Sequence, residues 1–183
     1  QKLRKLILKL KQQGFNIYKV DLGGGIGIIY SNNKVISLED YKNVVKTNFS
    51  DLNLKIFFEP GRSLVGSSGI LISRVIRQKK GENNNFLIID CAMNDLIRPS
   101  MYDSYHEIFP VKRNKDKEVS YDVVGPICES SDTFAKQRKI GQLKRDDLLI
   151  LCSVGAYGSC MSSNYNCRIP AKEILVCGSK ILE

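Results

Sequence analysis

Two short loops, each following a strand-like segment, carry residues that suit the binding of a phosphorylated ring. Residues 17–22 lead into Gly23-Gly24-Gly25, and residues 54–58 lead into Glu59-Pro60-Gly61-Arg62. Glycines let backbone N–H groups approach a phosphate because no Cβ stands in the way. A neighbouring carboxylate can hold a protonated ring nitrogen. Because ligands of α/β folds bind at the carboxyl edge of the sheet, we expect these two loops to share one ligand there.

Other interpretations of the two loops are weaker or stay open. The glycine loop does not satisfy G-x-G-x-x-G, since residue 28 is isoleucine, and no Gly-Lys-Ser/Thr follows it. Dinucleotide and nucleoside-triphosphate binding are therefore disfavoured. A plain tight turn remains the alternative for the three glycines, and a structural salt bridge remains the alternative for Glu59 and Arg62.

The elements around these loops predict two αβ units. The apolar spacing of residues 3–10 predicts a helix that ends at Gly14. Ser37 with Asp40 resembles a capping box and begins a second amphipathic helix. Helix, strand, helix, strand is typical of a parallel sheet, open or closed into a barrel, and we expect residues 54–58 to be buried on both faces.

The remainder of the chain is predicted to be mainly β. Strands are expected at residues 69–76, 85–90, 121–124, 148–153 and 173–177, and the one candidate helix is residues 133–139. The change in character predicts two domains, 1–67 and 68–183. The fold class is therefore α/β followed by all-β.

The composition favours a soluble protein. The 183 residues are 43% hydrophobic and include no run long and apolar enough to span a membrane, and no signal peptide is evident. We therefore expect a cytoplasmic protein without a membrane partner. The net charge of +9 is scattered, which favours a solvated basic surface or a small anionic ligand over nucleic acid.

The six cysteines form no C-x-x-C pair, and the sequence has a single histidine, His106. A metal site and a disulfide framework are both disfavoured by this pattern. We expect reduced thiols that lie mostly in the core.

Five blocks in order resemble the diaminopimelate decarboxylases, which are fold-type III enzymes that use pyridoxal 5′-phosphate. These blocks are DLGGGIGI, FEPGRSLV, RPSMY, GPICESSD and GAYGSCMSSNYNCRIPAKEILV, and the resemblance extends from about residue 1 to residue 178. It implies the carboxyl-terminal part of a (β/α)8 barrel followed by a β-sandwich or β-barrel-like domain. It also implies decarboxylation of meso-2,6-diaminopimelate to L-lysine and CO2.

The resemblance also implies roles for individual residues. Those implied to bind the cofactor are Gly24, Gly25, Glu59, Gly61, Arg62 and Tyr157. Those implied to bind the substrate are Arg62, Arg98, Tyr102, Glu129 and Tyr157. Cys128 is implied to be the acid that returns a proton to the α-carbon, and an ordinary thiol, with a pKa of about 8.5, is mostly protonated at neutral pH. Cys128 and Glu129 are implied to reach into the partner's site in a homodimer.

Some positions depart from the family pattern. Met101 and Ser131 replace a usual leucine and glycine, and Cys160 stands where serine or alanine is common. The family's Schiff-base lysine matches no lysine of this chain, and the resemblance puts it before Gln1. We therefore expect a fragment that is inactive alone.

Three alternatives remain. An ornithine or arginine decarboxylase of the same fold is disfavoured by Glu129-Ser130, where diamine-forming relatives tend to have an aspartate. A non-catalytic remnant or regulatory partner would lack the lysine altogether. Nucleic-acid binding is motivated by charge alone.

Overall fold

The computed structural model describes residues 1–31, 34–112 and 118–182. The chain divides into two compact units, Gln1–Leu64 and Val65–Glu183. Within the described ranges, no helix combines the length and the apolar character that crossing a membrane requires.

The first unit alternates helices with strands. Its elements are α1 (Lys2–Gln12), β1 (Lys19–Asp21), α2 (Leu38–Phe49) and β2 (Lys55–Phe57), after which α3 (Gly61–Val65) begins. Strands β1 and β2 pair in parallel, with Val20 opposite Ile56. The amide of Asp40 donates to Ser37 Oγ at 3.0 Å, as expected of an N-cap. Both predicted helices and the parallel pairing are confirmed.

One face of the β1–β2 pair carries the core of the first unit. Ile7, Phe49 and Leu52 are buried there, and Val20 and Ile56 pack against them. The opposite face, which carries Phe57, is open, with Phe57 48% exposed. The prediction that residues 54–58 are buried on both faces is therefore wrong for this unit, because its described residues cover only the side that carries Ile56.

The second unit is a six-stranded mixed sheet in the order β5-β8-β3-β4-β6-β7. Its elements are β3 (Ile70–Lys80), β4 (Asn85–Ile89), α4 (Arg98–Tyr102), β5 (Ile108–Pro110), β6 (Glu118–Val124), β7 (Thr133–Gly141) and β8 (Leu148–Cys152). Strands β4 and β6 are parallel, and the other pairs are antiparallel. A hairpin of β9 (Leu175–Cys177) and β10 (Lys180–Leu182) follows.

The six-stranded sheet curls until it is nearly closed. Arg138 of the edge strand β7 donates from Nη1 to the carbonyl oxygen of His106, two residues before the other edge strand β5, at 3.0 Å. The core inside the curl is formed mainly by residues that are less than 5% exposed, among them Val75, Leu87, Ile89, Leu96, Val123, Leu149 and Leu151. The predicted β character of this region is confirmed.

The helix predicted over residues 133–139 is wrong, because this segment is the strand β7. Its alanine, lysines, glutamine and arginine are good helix formers. Pairing with β6 nevertheless extends the segment, and Phe134, Ala135 and Ile140 are buried in the sheet core. Tertiary packing therefore overrides the local propensity. The sequence interpretation also missed the short strands β5 and β10.

Candidate functional site

The glycine loop and the acidic loop lie side by side in the first unit. Beyond the β1–β2 ladder, the amide of Leu22 donates to Phe57 O at 3.0 Å and the amide of Glu59 donates to Gly23 O at 2.9 Å. A Cβ built on Gly24 would lie 2.2 Å from the carbonyl oxygen of Glu59. Since no real side chain tolerates that distance, the close approach of the two loops requires glycine at position 24.

The glycine loop presents backbone donors to its surroundings. Asp21 Oδ1 accepts the amide of Gly23 at 2.7 Å, and Gly23 and Gly25 have φ of +69° and +83°. Gly24 and Gly25 are exposed, and their amides donate to no acceptor among the described residues. Donors without neighbouring Cβ atoms suit an anion such as a phosphate, so these residues fit the phosphorylated ring expected from the sequence.

The side chains of the second loop are arranged differently from the salt bridge considered above. Glu59 is exposed and Arg62 is half-buried, and within the described part of the chain no ion pair joins them. Ser63 Oγ donates to Pro60 O at 2.9 Å, which holds the turn after the acid. The carboxylate of Glu59 is therefore available to a cationic group of a ligand.

Arg98 is the first residue of α4 in the second unit and is 6% exposed. Its Nη1 lies 3.0 Å from Nε2 of His106, and its Cζ lies 5.9 Å from the centre of the Tyr157 ring. A guanidinium held by a ring nitrogen and lying beside an aromatic face is oriented, and an oriented arginine fork suits the binding of a carboxylate.

The two tyrosines expected at the site are exposed. Tyr102 ends α4 and is 60% exposed, and Tyr157 is 41% exposed with φ of +62°. The glycines on either side of Tyr157 are closely packed, because a Cβ on Gly155 would lie 1.9 Å from Val65 O and one on Gly158 would lie 2.4 Å from Val154 O. The backbone of the loop that carries Tyr157 is therefore closely packed at both glycines.

Cys128 and Glu129 are exposed on the loop between β6 and β7. The loop is held from inside by the buried carboxylate of Asp132, which accepts the amide of Met93 at 2.7 Å and that of Ile127 at 2.8 Å. Burial raises the pKa of Asp132. A Cβ on Gly125 would lie 2.3 Å from Asp132 Oδ2, so glycine is also required here.

Further contacts tie this loop to neighbouring segments. Ser100 Oγ of α4 donates to Ser131 O at 2.6 Å. The Tyr165 hydroxyl donates to Glu129 Oε1, and this hydrogen bond raises the pKa of Tyr165. Arg168 donates from Nε to Asn94 Oδ1 at 2.9 Å, which anchors the segment that carries Tyr165.

The locations of the cysteines agree only in part with the prediction. Cys91 is buried, and burial raises the pKa of its thiol, whereas Cys152 is half-buried. Cys128, Cys160, Cys167 and Cys177 are exposed. The prediction of a mostly core location is therefore wrong for Cys160, Cys167 and Cys177, because these three lie in the irregular segment and hairpin after β8, outside the sheet core.

The predicted site residues form two groups. Gly24, Gly25, Glu59, Gly61 and Arg62 belong to the first unit, and the others belong to the second. In the second unit the structure brings Arg98 to Tyr157 and carries Cys128 and Glu129 on one loop.

Four residues that shape the second group received no role from the sequence: His106, Asp132, Tyr165 and Arg168. Asp132 lies in the quoted block GPICESSD, where an acid seven residues after Gly125 and just before a strand was the available signal for a loop-closing carboxylate. Tyr165 and Arg168 are likewise in a quoted block. His106 lies in none.

This fold is that of a known family. The model of the pyridoxal-dependent decarboxylase C-terminal sheet domain matches residues 15–155, and the chain belongs to this decarboxylase family. The relatives that it resembles are diaminopimelate decarboxylases. That of Zymomonas mobilis is 42% identical over 98% of this chain and 43% of its own length.

Solved structures agree. The chain superposes on a crystal structure of a protein from Aquifex aeolicus with a TM-score of 0.94 at 43% identity, covering 99% of this chain and 45% of that one. The Helicobacter pylori diaminopimelate decarboxylase complexed with L-lysine gives a TM-score of 0.91 at 41% identity, with coverage of 99% and 45%. The chain thus spans less than half the length of the relatives it matches, and the resemblance drawn from the five sequence blocks is confirmed.

Proposed function

We propose that this chain is part of a decarboxylase that converts meso-2,6-diaminopimelate to L-lysine and CO2 with pyridoxal 5′-phosphate as cofactor. The observation that carries the proposal is the hydrogen bond from Glu59 N to Gly23 O, which joins the glycine loop to the acidic loop. The names of the relatives, and the L-lysine bound to the Helicobacter pylori enzyme, support the substrate.

The proposed architecture assigns residues 1–67 to the last αβ units of a (β/α)8 barrel and residues 68–183 to a carboxyl-terminal β-domain. The parallel pairing of β1 with β2, each preceded by a helix, supports the barrel assignment. The curled six-stranded sheet supports the second assignment.

In the proposed cofactor site, the amides of Gly24 and Gly25 and the Gly61-Arg62 turn bind the phosphate, and Tyr157 contacts the cofactor. Glu59 holds the proton on the ring nitrogen. Pyridoxal phosphate, when bound, supplies a protonated ring that accepts the electron pair released as the C–CO2 bond breaks. A carboxylate at this position therefore matters more for the rate than for cofactor affinity.

In the proposed substrate site, Arg98, Arg62 and Tyr102 bind the distal carboxylate and Glu129 binds the distal ammonium group, with Tyr157 at the boundary to the cofactor. The buried, oriented guanidinium of Arg98 supports its role, since an arginine fork grips a carboxylate through two hydrogen bonds. The exposure of Glu129 on a well-anchored loop supports its role.

Cys128 is proposed to donate the proton that replaces CO2 on the α-carbon. It is exposed beside Glu129, as expected of residues that one protomer contributes to the site of its partner in a homodimer. Because no lysine of this chain matches the family's Schiff-base lysine, we also propose that the chain is inactive by itself.

The first experiment compares Glu59→Gln with the control Glu82→Gln, a change at an exposed turn residue, in the protein expressed from its complete gene. We expect Glu59→Gln to lower kcat by about 100-fold or more while cofactor affinity, measured by absorbance titration, changes far less. Undiminished turnover would contradict the role of Glu59. Turnover of ornithine in place of diaminopimelate would contradict the substrate.

The second experiment tests the shared site. Glu59→Gln and Cys128→Ala proteins are mixed under conditions that allow subunit exchange. A heterodimer then contains one site with both residues intact, so activity should return on mixing if Cys128 serves the partner's cofactor. No recovery, with exchange shown by native mass spectrometry, would place both residues in one protomer.

A further inference from the structure

The single histidine of the sequence is fully buried between an arginine and a backbone carbonyl. His106 is 0% exposed. Its Nε2 lies 3.0 Å from Arg98 Nη1, and its Nδ1 lies 2.8 Å from Cys152 O. Both ring nitrogens are therefore engaged, one by a substrate-site candidate and one by the end of β8.

The chemistry of these two neighbours defines the proton position on the ring. Arginine stays protonated and only donates, so Nε2 must accept from Arg98. A carbonyl oxygen only accepts, so Nδ1 must carry the hydrogen that is donated to Cys152 O. The ring is thus the neutral Nδ1–H tautomer.

The surroundings keep this ring neutral. Burial lowers the pKa of His106, the carbonyl of Cys152 opposes this, and the positive charges of Arg98 and Arg138 lower the pKa further. Arg138 donates to the carbonyl oxygen of His106, lies 3.7 Å from Glu107 Oε1 and has its Cζ 4.1 Å from the centre of the Tyr105 ring. A second proton would therefore put an imidazolium against Arg98.

We propose that His106 is a positioning residue that aims the guanidinium of Arg98 at the distal carboxylate of the substrate. This inference rests on the proposed function. Arg side chains have much rotamer freedom, and a hydrogen bond to a fixed ring removes part of it before the ligand arrives. Because the imidazole is neutral, it orients the guanidinium and leaves its positive charge intact. A carboxylate at that position would cancel the charge.

The test uses two ligands that differ in the group concerned. L-Lysine retains the distal carboxylate, whereas cadaverine is the same diamine without it. Binding of both is measured by calorimetry on the cofactor-loaded protein expressed from its complete gene, with His106→Phe, which removes the acceptor, and His106→Gln, which restores an acceptor oxygen. The matched control is Tyr105→Phe, which keeps the ring stacked on Arg138 and removes a hydroxyl that contacts Glu107.

We expect His106→Phe to weaken the binding of L-lysine about tenfold, which is the scale of one lost hydrogen bond to a charged group. The affinity of this variant for cadaverine should change little, and so should the affinity of Tyr105→Phe for either ligand. His106→Gln should recover most of the loss. Equal weakening of the binding of both ligands, or unchanged binding of L-lysine, would overturn the role of His106. Failure of the unsubstituted protein to bind L-lysine would instead overturn the proposed function, and this role with it.

A measurement independent of ligand binding covers the case in which His106→Phe does not fold. Long-range ¹H–¹⁵N spectra report the tautomer of each imidazole, and the His106→Gln spectrum identifies the signals of His106. We expect the Nδ1–H tautomer at pH 7. An Nε2–H tautomer or an imidazolium would overturn the proposal, since neither accepts a hydrogen bond from Arg98.

Discussion

The amide of Glu59 donates a 2.9 Å hydrogen bond to the carbonyl oxygen of Gly23, two residues beyond the end of each paired strand. This bond extends the parallel ladder into both loops, so backbone geometry fixes their separation. The Glu59 side chain takes no part in it and stays exposed. A position at the carboxyl edge of a parallel sheet is therefore combined with a carboxylate that is available for a ligand.

The first prediction concerns the approach of the two loops. Gly24→Ala should lower the free energy of unfolding by about 2 kcal/mol and weaken cofactor binding, because the new Cβ would lie 2.2 Å from Glu59 O. Gly27→Ala is the control, since its Cβ would meet only Val35 at an ordinary 3.8 Å. Urea unfolding and cofactor titration check both effects. Equal behaviour of the two variants would show that the loops are not in contact.

The second prediction concerns the loop that carries Cys128. Asp132→Ala should cost about 3 kcal/mol of unfolding free energy, because the amides of Met93 and Ile127 lose their acceptors. Glu82→Ala, at an exposed turn, should change stability by less than about 0.5 kcal/mol. Hydrogen exchange should also become faster at Ile127. Protection of that amide in Asp132→Ala would contradict the assignment.

The sequence predicted the outline of the fold because local signals agreed with tertiary packing. Each of these signals is local and spans only a few residues: the Ser37 cap, the apolar stripe of α1 and the β-rich segments after residue 68. Thr133–Gly141 was misassigned because its helix-forming residues are held in a strand by β6, a long-range pairing that composition does not reveal. The exposure of Phe57 depends in the same way on what covers a face, which no local pattern specifies.

The candidate site was predictable where residue types alone suggest chemistry, as with Gly24 beside Glu59. His106 was not predictable, since one histidine without a partner in the sequence carries no signal. Its role depends on Arg98, eight residues away, and on Cys152, 46 residues away, which contact the two ring nitrogens in the folded protein. No local sequence pattern predicts contacts of this kind.

The third prediction concerns pH and the ion pair between Arg4 and Asp51. Arg4 makes two hydrogen bonds to the Asp51 carboxylate, at 2.6 and 2.7 Å, and these lower the Asp51 pKa from 3.8 to about 2. Because the folded-state pKa is below the unfolded value, the pair stabilises the fold above pH 3.8, and this contribution is lost as the pH falls toward 2.

Replacing the cation should reverse that shift. In Arg4→Gln the Asp51 pKa, followed by carboxyl ¹³C NMR, should rise toward 3.8, whereas Lys5→Gln, one residue along α1, should leave it near 2. The acid-induced loss of stability between these pH values should shrink in Arg4→Gln alone. An unchanged Asp51 pKa in that variant would contradict the pairing.

The last prediction concerns thiol reactivity. Iodoacetamide should modify the exposed Cys128, Cys160, Cys167 and Cys177 in the native protein, followed by mass spectrometry. Cys91 should react only after unfolding, because it is buried and burial raises the pKa of its thiol, leaving little reactive thiolate. Modification of Cys91 at the rate of Cys177 would contradict the packing of the sheet core.

Ligand protection connects this reactivity to the proposed chemistry. If Cys128 faces the α-carbon, cofactor and L-lysine together should slow its modification at least about tenfold while Cys177, in the β9–β10 hairpin, reacts as before. An acid that delivers a proton must lie within hydrogen-bond reach of the reacting atom, and an alkylating reagent cannot share that space with a ligand. Equal protection of both cysteines would indicate a general tightening of the protein, and no protection would remove Cys128 from the site.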